Sequence, residues 1–309
     1  MIHAVLRILP FAVWTAVVVA AGQLTPQQPA GSGSSDAILV DVRVVDRLGA
    51  PIMGLTVNDF EIRVDGKPRS VLSAEYQAEN GTQQSSVVVV ADRDNLRVGT
   101  SRATLDAAAQ FLERLPPSHA VGSLVLPVAK PSLDLGTNRA PVSAALRRVL
   151  GSYDPRSAGT TDELALRSAL HMVIGRLNAV AGRRTIVYLT DRLDQSVSIA
   201  DLAQRASLSG VVFYVVAADA PMISPEGASS LAEEVDRDSL VALASATGGA
   251  MLRRIAGAEG VFGRLTRELS GQYLVGFAVD PSGDRGRHMV RVAVKRPGVS
   301  VRARREFVR

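Results

Sequence analysis

The sequence predicts an α/β fold in which a doubly wound, mostly parallel sheet is inserted into a small β-sandwich formed by the N- and C-terminal strands. Two observations predict it. Apolar strand-like runs alternate with helix-like stretches between residues 85 and 271, which is typical of a parallel sheet covered by helices. Strands with alternating, β-branched patterns lie on both sides of that region, and neither group alone can form a core.

The N-terminus has the layout of an export signal. Arg7 is the only charge among residues 1–22, and residues 8–21 are uncharged and mostly apolar. Small residues follow at the end of this run, so we predict a cleaved signal peptide over residues 1–22 and a secreted or periplasmic protein. A retained membrane anchor is the alternative. Residues 23–36 are polar and rich in Pro, Gly and Ser, which predicts a flexible linker.

Residues 37–80 are predicted to be the N-terminal strands of the sandwich. Ile38–Asp46 is β-branched, and Phe60–Val64 alternates between apolar and charged residues. Asp65-Gly66 is a strong signal for a tight hairpin turn. We therefore expect Arg69–Tyr76 to return as the partner of Phe60–Val64.

Residues 85–271 are predicted to be the inserted α/β domain. The continuous apolar run Val87–Ala91 indicates a strand that is covered on both faces. Gly248-Gly249 is a signal for the end of a helix. The further predicted strands and helices are, in order, helix 100–115, strand 121–128, helices 141–150 and 162–180, strand 185–190, helix 199–208, strand 211–217, and helices 229–247 and 258–269.

Residues 272–309 are predicted to be the C-terminal strands of the sandwich, at Tyr273–Phe277, His288–Lys295 and Val299–Phe307. Residues 285–309 hold nine basic residues and one acid, Glu306. This charge is either a surface for an anionic polymer or lipid or the solvated face of edge strands that resist aggregation. Nucleic acid is excluded as a partner, since the chain is predicted to be exported and only 4% of its residues are aromatic.

Three polar segments are predicted to meet at one edge of the parallel sheet. They are Asp92–Leu96 after the first strand, Gly159–Asp162 at a helix start, and Thr190–Arg192 after the third strand. In doubly wound sheets, ligands bind beyond the carboxyl ends of the strands, where the strand order reverses. Hydroxyl and carboxylate oxygens suit a hard cation such as Mg²⁺ or Ca²⁺.

These segments carry a resemblance to a known family. The middle of the chain resembles a von Willebrand factor A domain, and residues 38–308 resemble the VWFA-related family of secreted bacterial proteins. The segments that carry the resemblance are 54–61 with 65–68, 107–115, 159–160, 187–191, 243–249, 272–277 and 295–301. The resemblance implies a non-enzymatic module for protein binding or adhesion with a metal-ion-dependent site.

The sequence also departs from the family pattern. The first metal loop of the family reads Asp-x-Ser-x-Ser, whereas the corresponding positions here are Asp92, Asp94 and Leu96. A weakened site would use Asp92, Asp94, Thr160 or Thr161, and Asp191. The alternative is a degenerate, metal-free rim held by Arg–Asp pairs, with Arg93, Arg97 and Arg192 competing for the cation's place. The residues expected to contact a partner are Arg93, Asn95, Asp162 and Arg192.

Enzymatic function has no support in the sequence. There is no cysteine, no Gly-x-Ser-x-Gly elbow, and no glycine-rich phosphate loop. We therefore predict a binding module for a protein or a surface polymer. The alternative is a structural or assembly component of the cell envelope that docks through the sandwich and its basic C-terminal strands, where membrane contact is also conceivable.

Overall fold

A computed structural model describes residues 37–79, 84–128, 130–152, 163–191, 199–218, 231–254, 258–279 and 285–309. The predicted signal peptide and linker lie outside the described residues. None of the described helices is long and apolar enough to cross a membrane. The strands are β1 (Ala37–Val45), β2 (Phe60–Val64), β3 (Lys67–Arg69), β4 (Val71–Ala78), β5 (Ser85–Asp92), β6 (His119–Leu126), β7 (Arg183–Leu189), β8 (Val211–Ala218), β9 (Ala250–Arg254), β10 (Gly271–Ala278), β11 (Arg287–Val294), β12 (Ser300–Ala303) and β13 (Glu306–Val308). The helices are α1 (Val98–Arg114), α2 (Arg139–Arg147), α3 (Glu163–Asn178), α4 (Ile199–Leu208), α5 (Leu231–Ala246) and α6 (Ala258–Leu269).

The predicted β-sandwich of terminal strands is confirmed. Its first sheet has the order β12-β1-β10-β4 and its second the order β13-β11-β2-β3, so each combines strands from both ends of the chain. The alternating apolar residues of β1, β2 and β10 point inward and form one hydrophobic cluster. The hydroxyl of Tyr273 accepts a hydrogen bond from the backbone N–H of Leu55 and donates one to the carbonyl of Ile52. The polar end of this buried side chain is therefore satisfied within the core.

The α/β part is inserted between β4 and β10, which pair with each other in the first sheet. Its five described strands are all parallel, in the order β6-β5-β7-β8-β9. Alternate residues of β5 enter two different cores. Val87 and Val89 pack with α1, α2 and α6, whereas Val88 and Val90 pack with α3, α4 and α5. The valine run is thus buried on both faces, as predicted.

Three details of the strand prediction were wrong. The segment predicted as the single strand Arg69–Tyr76 divides into β3, which pairs with β2, and β4, which crosses to the other sheet. The segment Val299–Phe307 divides in the same way into β12 and β13. Strand β9 was not predicted. In the first two cases, a break of one or two residues moves the strand to a new partner without changing its apolar pattern, so periodicity cannot reveal it.

A buried ion cluster joins the α/β part to the sandwich. Glu268 on α6 is completely buried and accepts two hydrogen bonds from the guanidinium of Arg302 on β12, at 2.8 and 3.0 Å. Arg264, one turn earlier on α6, donates a third at 3.0 Å. The carboxylate is therefore fully compensated, which a buried charge requires.

Candidate functional site: a hydrogen-bonded rim at the end of the parallel sheet

The candidate site lies where the order of the parallel sheet reverses. The chain goes from β5 to β6 on one side and later returns to β7 on the other side of β5. The carboxyl ends of β5 and β7 therefore flank a crevice, which is where such sheets bind ligands. Asp92 ends β5, and Thr190 and Asp191 directly follow β7. We call residues 92–97 together with Thr190 and Asp191 the rim.

Asp92 is a buried carboxylate of the rim, with only 1% of its surface exposed. All three of its described hydrogen bonds are accepted by Oδ2, from Asn95 Nδ2 at 2.9 Å, the Tyr188 hydroxyl at 2.7 Å and the Thr190 hydroxyl at 3.4 Å. Burial raises the pKa of Asp92 to about 6, although the hydrogen bonds from Asn95 and Tyr188 act in the opposite direction. Burial also raises the pKa of Tyr188, and the neighbouring Asp92 adds to this effect. The tyrosine therefore remains a hydrogen-bond donor.

The loop after β5 is fixed to the end of β7 by two backbone contacts. The N–H of Asp191 donates to the carbonyl of Asn95, and the N–H of Arg97 donates to Oδ2 of Asp191, both at 3.0 Å. Leu96 lies between these contacts and is fully buried in the core beside α1. The rim is thus held in place by the hydrogen bonds of the protein itself.

Asp94 lies at the outer side of the rim. Its Oδ1 accepts hydrogen bonds from Ser152 Oγ at 2.7 Å and from Arg93 Nε at 3.1 Å. The side chains of Arg93 and Asp94 are 46% and 32% exposed, so this ion pair is in contact with solvent. An exposed pair of this kind contributes little stability but presents both charges at the surface.

The structure brings together only part of the predicted site. Asp92, Asp94, Asn95 and Asp191 lie within one network, but Asn95, expected to contact a partner, is buried and binds Asp92 instead. Arg97, predicted to compete for the cation's place, contacts Asp191 through its backbone N–H. Four further predicted site residues lie outside the described residues. These are Thr160, Thr161, Asp162 and Arg192.

The predicted Mg²⁺ or Ca²⁺ site needs oxygen ligands that include Thr160 or Thr161, which lie outside the described residues. Oδ2 of Asp92, Oδ1 of Asp94 and Oδ2 of Asp191 already accept hydrogen bonds from the protein. The position of the second family serine is the buried Leu96. Within the described parts of the chain, no group of three or more acidic or histidine residues could hold a metal ion.

Two residues of the network were not singled out from the sequence. Tyr188 binds Asp92 from the neighbouring strand, and Ser152 binds Asp94 from the segment after α2. The position of Tyr188 could have been predicted from the sequence, because it lies two residues before Thr190 and side chains two apart in a strand point to the same face of the sheet. The position of Ser152 could not, since it depends on how the chain leaves α2.

A parallel sheet with helices on both faces and a polar rim at the switch point is the arrangement that the resemblance predicted. The described parts of residues 85–271 have a von Willebrand A-like α/β fold. No family model matches the sequence, and no match was found among curated proteins.

Several solved structures are similar to this von Willebrand A-like chain. The conserved hypothetical protein BatB from Bacteroides thetaiotaomicron is 13% identical, with 60% of this chain and 97% of that one covered and a TM-score of 0.43. An aerotolerance-related membrane protein from Bacteroides fragilis is 15% identical, with 60% and 98% covered and a TM-score of 0.42. Proximal thread matrix protein 1 from the mussel byssus, with a zinc-occupied MIDAS motif, is 12% identical, with 65% and 49% covered and a TM-score of 0.43. These likenesses concern the fold alone.

Proposed function

We propose that this protein is an exported, non-enzymatic binding module that captures a protein or surface polymer at the rim without a metal ion. The main support is that the protein's own hydrogen bonds fix the loop 92–97 to Asp191. In a metal-dependent site the ion would have to organise these carboxylates. Here the backbone N–H groups of Asp191 and Arg97, together with Asn95, do so.

The surface available to a partner is the outer side of the rim. Arg93 and Asp94 present opposite charges there, and Val98, at the start of α1, is 62% exposed. Protein interfaces typically combine an apolar centre with a polar, charged surround. Asp92 and Asn95 lie beneath this surface and serve to hold it, so they do not contact the partner themselves.

The experiment measures capture of a ligand from envelope extract, with and without a chelator. Charge reversal in Arg93→Glu should abolish capture, and the chelator should have no effect. Arg102→Glu is the matched control, because Arg102 is also exposed near the start of α1, where it pairs with Asp106. Loss of capture on chelation, or equal loss in both variants, would contradict the proposal.

Metal independence is tested separately by the melting temperature. Millimolar Mg²⁺, Ca²⁺ or Mn²⁺ should leave it unchanged, because only an ion that binds the native state raises its stability. A metal-dependent rise that is lost in Asp191→Asn would show that the rim holds a cation.

A second candidate function is docking to an anionic envelope component through the basic strands. A groove of about 500 Å³ is lined by five arginines and by no acidic residue, namely by Arg63, Arg291, Arg302, Arg304 and Arg305. Arg63 and Arg291 lie directly opposite each other on β2 and β11, where like charges repel. Loss of capture in Arg291→Glu, with Arg93→Glu unaffected, would favour this function over the first.

A further inference from the structure

A second cavity lies at the opposite end of the parallel sheet from the rim. Its volume is about 400 Å³, and it separates the outer face of the first sandwich sheet from the starts of β7 and β8. We call it the junction cavity. The residues that argue for a ligand are Arg43 and Asp41 on β1, Arg183 on β7, and Gln272 on β10.

Arg43 is a buried cation that forms no direct ion pair among the described residues, although Asp41 lines the same cavity. Only 4% of its surface is exposed, and no described carboxylate lies within ion-pair distance of its guanidinium. Its Nε has no hydrogen-bond acceptor among the described residues. Its cross-strand neighbour is Arg302, whose own charge is already engaged by Glu268. An unpaired buried charge is destabilising, so an anion bound in the cavity beside it would stabilise the folded protein.

Arg183 brings a second cation to the same cavity. Its side chain is 11% exposed, and its terminal nitrogens donate to the Gln77 carbonyl at 3.2 Å and lie 3.5 Å from Glu79 Oε2. Its Nε, like that of Arg43, has no acceptor among the described residues. Two guanidinium groups with open N–H donors are the usual way in which proteins bind oxyanions.

Gln272 adds an acceptor with a fixed orientation. It is 2% exposed, and its Nε2 donates to Oδ1 of Asp41 at 2.6 Å. This bond directs the amide, and its Oε1 has no donor among the described residues. The junction cavity is therefore lined by Arg43, Arg183 and the Gln272 amide, together with Asp41, which binds Gln272, and Arg184, which donates to backbone carbonyls. Water could satisfy these hydrogen bonds, but water does not neutralise the charge of Arg43.

We propose that the junction cavity binds an oxyanion of the phosphate class, either free phosphate or a phosphate monoester. The anionic oxygens bind Arg43 and Arg183. The remaining O–H of hydrogenphosphate, or a hydroxyl of the ester group, donates to Oε1 of Gln272. This site is independent of the rim and of the function proposed for it.

The test is titration of the purified chain with sodium phosphate, glycerol 3-phosphate and sodium sulfate, at equal ionic strength, by calorimetry and by melting temperature. Phosphate or the ester should bind and raise the melting temperature. The tighter binder of the two shows whether the site takes free phosphate or a phosphate monoester. Sulfate carries no proton at neutral pH and should bind at least tenfold more weakly. Equal binding of sulfate and phosphate would contradict the assignment.

Arg43→Met is the decisive variant. It should weaken phosphate binding at least tenfold, and it should melt higher than the wild type in phosphate-free buffer, because it removes an unpaired buried charge. Arg148→Met, which removes an exposed arginine after α2, should change neither property. The proposal is overturned if phosphate does not bind, if Arg43→Met binds it normally, or if binding is lost in Arg291→Met instead, since Arg291 lines the arginine groove.

Discussion

At the scale of single residues, Asp92 controls the pH dependence of the rim. Its pKa is about 6 in the folded protein because it is buried, against roughly 4 in an unfolded chain. Between these values the folded state retains a proton that the unfolded state has lost. The contribution of Asp92 to the free energy of unfolding therefore falls as the pH rises from about 4 to 6, by about 3 kcal/mol, and is constant above that range.

Asp92→Asn should remove this contribution. The variant should be more stable than the wild type at pH 8, by up to about 3 kcal/mol, since its amide oxygen can accept the same three hydrogen bonds without a charge. Urea unfolding at pH 4, 6 and 8 measures the effect. Tyr188→Phe is the comparison variant: it removes a donor to the carboxylate and should move the midpoint of the transition to higher pH. An unchanged slope in Asp92→Asn would contradict this explanation.

At the scale of elements, the end of α5 is the feature that sequence and structure share most closely. Gly248 has a φ of +81°, its N–H donates to Ser245, and the N–H of Gly249 donates to Ala244. This is a Schellman motif, as the glycine pair predicted. The same pair also directs the chain into β9, where Gly249 lies against the backbone of β8.

Gly249→Ala should be strongly destabilising, because an added Cβ would lie 1.9 Å from the carbonyl oxygen of Phe213. We expect a loss of several kcal/mol, in the range of severe steric substitutions. Gly175→Ala is the matched control within α3, where nothing lies within 4 Å of the new Cβ. That variant should gain up to about 1 kcal/mol from helix propensity. Thermal melting distinguishes the two, and similar behaviour would contradict the steric argument.

Sequence patterns located the layers of this fold better than its connections. The valine run of β5 and the alternation in β2 predicted burial correctly. A continuous apolar run is typical of a strand that is buried on both faces, and an alternating pattern of a strand that is buried on one. Strand exchange at Ser70 and at Arg304-Arg305 could not be predicted, since it depends on which neighbour offers an open edge. For the rim, positions followed from strand ends, but the hydrogen bonds of Tyr188 and Ser152 depend on distant segments.

At the scale of the whole molecule, the cluster around Glu268 is expected to couple the two parts of the chain. Glu268→Gln would leave Arg302, whose side chain is only 15% exposed, and the more exposed Arg264 beside a buried neutral amide. We expect a loss of about 3–5 kcal/mol, the usual cost of breaking a buried ion pair. Glu113→Gln breaks the exposed pair with Arg147 and should cost less than about 1 kcal/mol. Urea unfolding followed by circular dichroism tests both, and equal losses would contradict the role of burial.

The pairing of β4 with β10 also has a mechanical consequence. Ala78 and Gly271, where the chain leaves and re-enters the sandwich, are direct partners in one antiparallel ladder, so their Cα atoms are about 5 Å apart. Because this pairing joins the two ends of the von Willebrand A-like part, a pulling force on the ends of the described chain does not pass through that part while the pairing holds. Tension applied at residues 37 and 309 is resisted first by the hydrogen bonds of the sandwich, and the rim keeps its geometry until those bonds break.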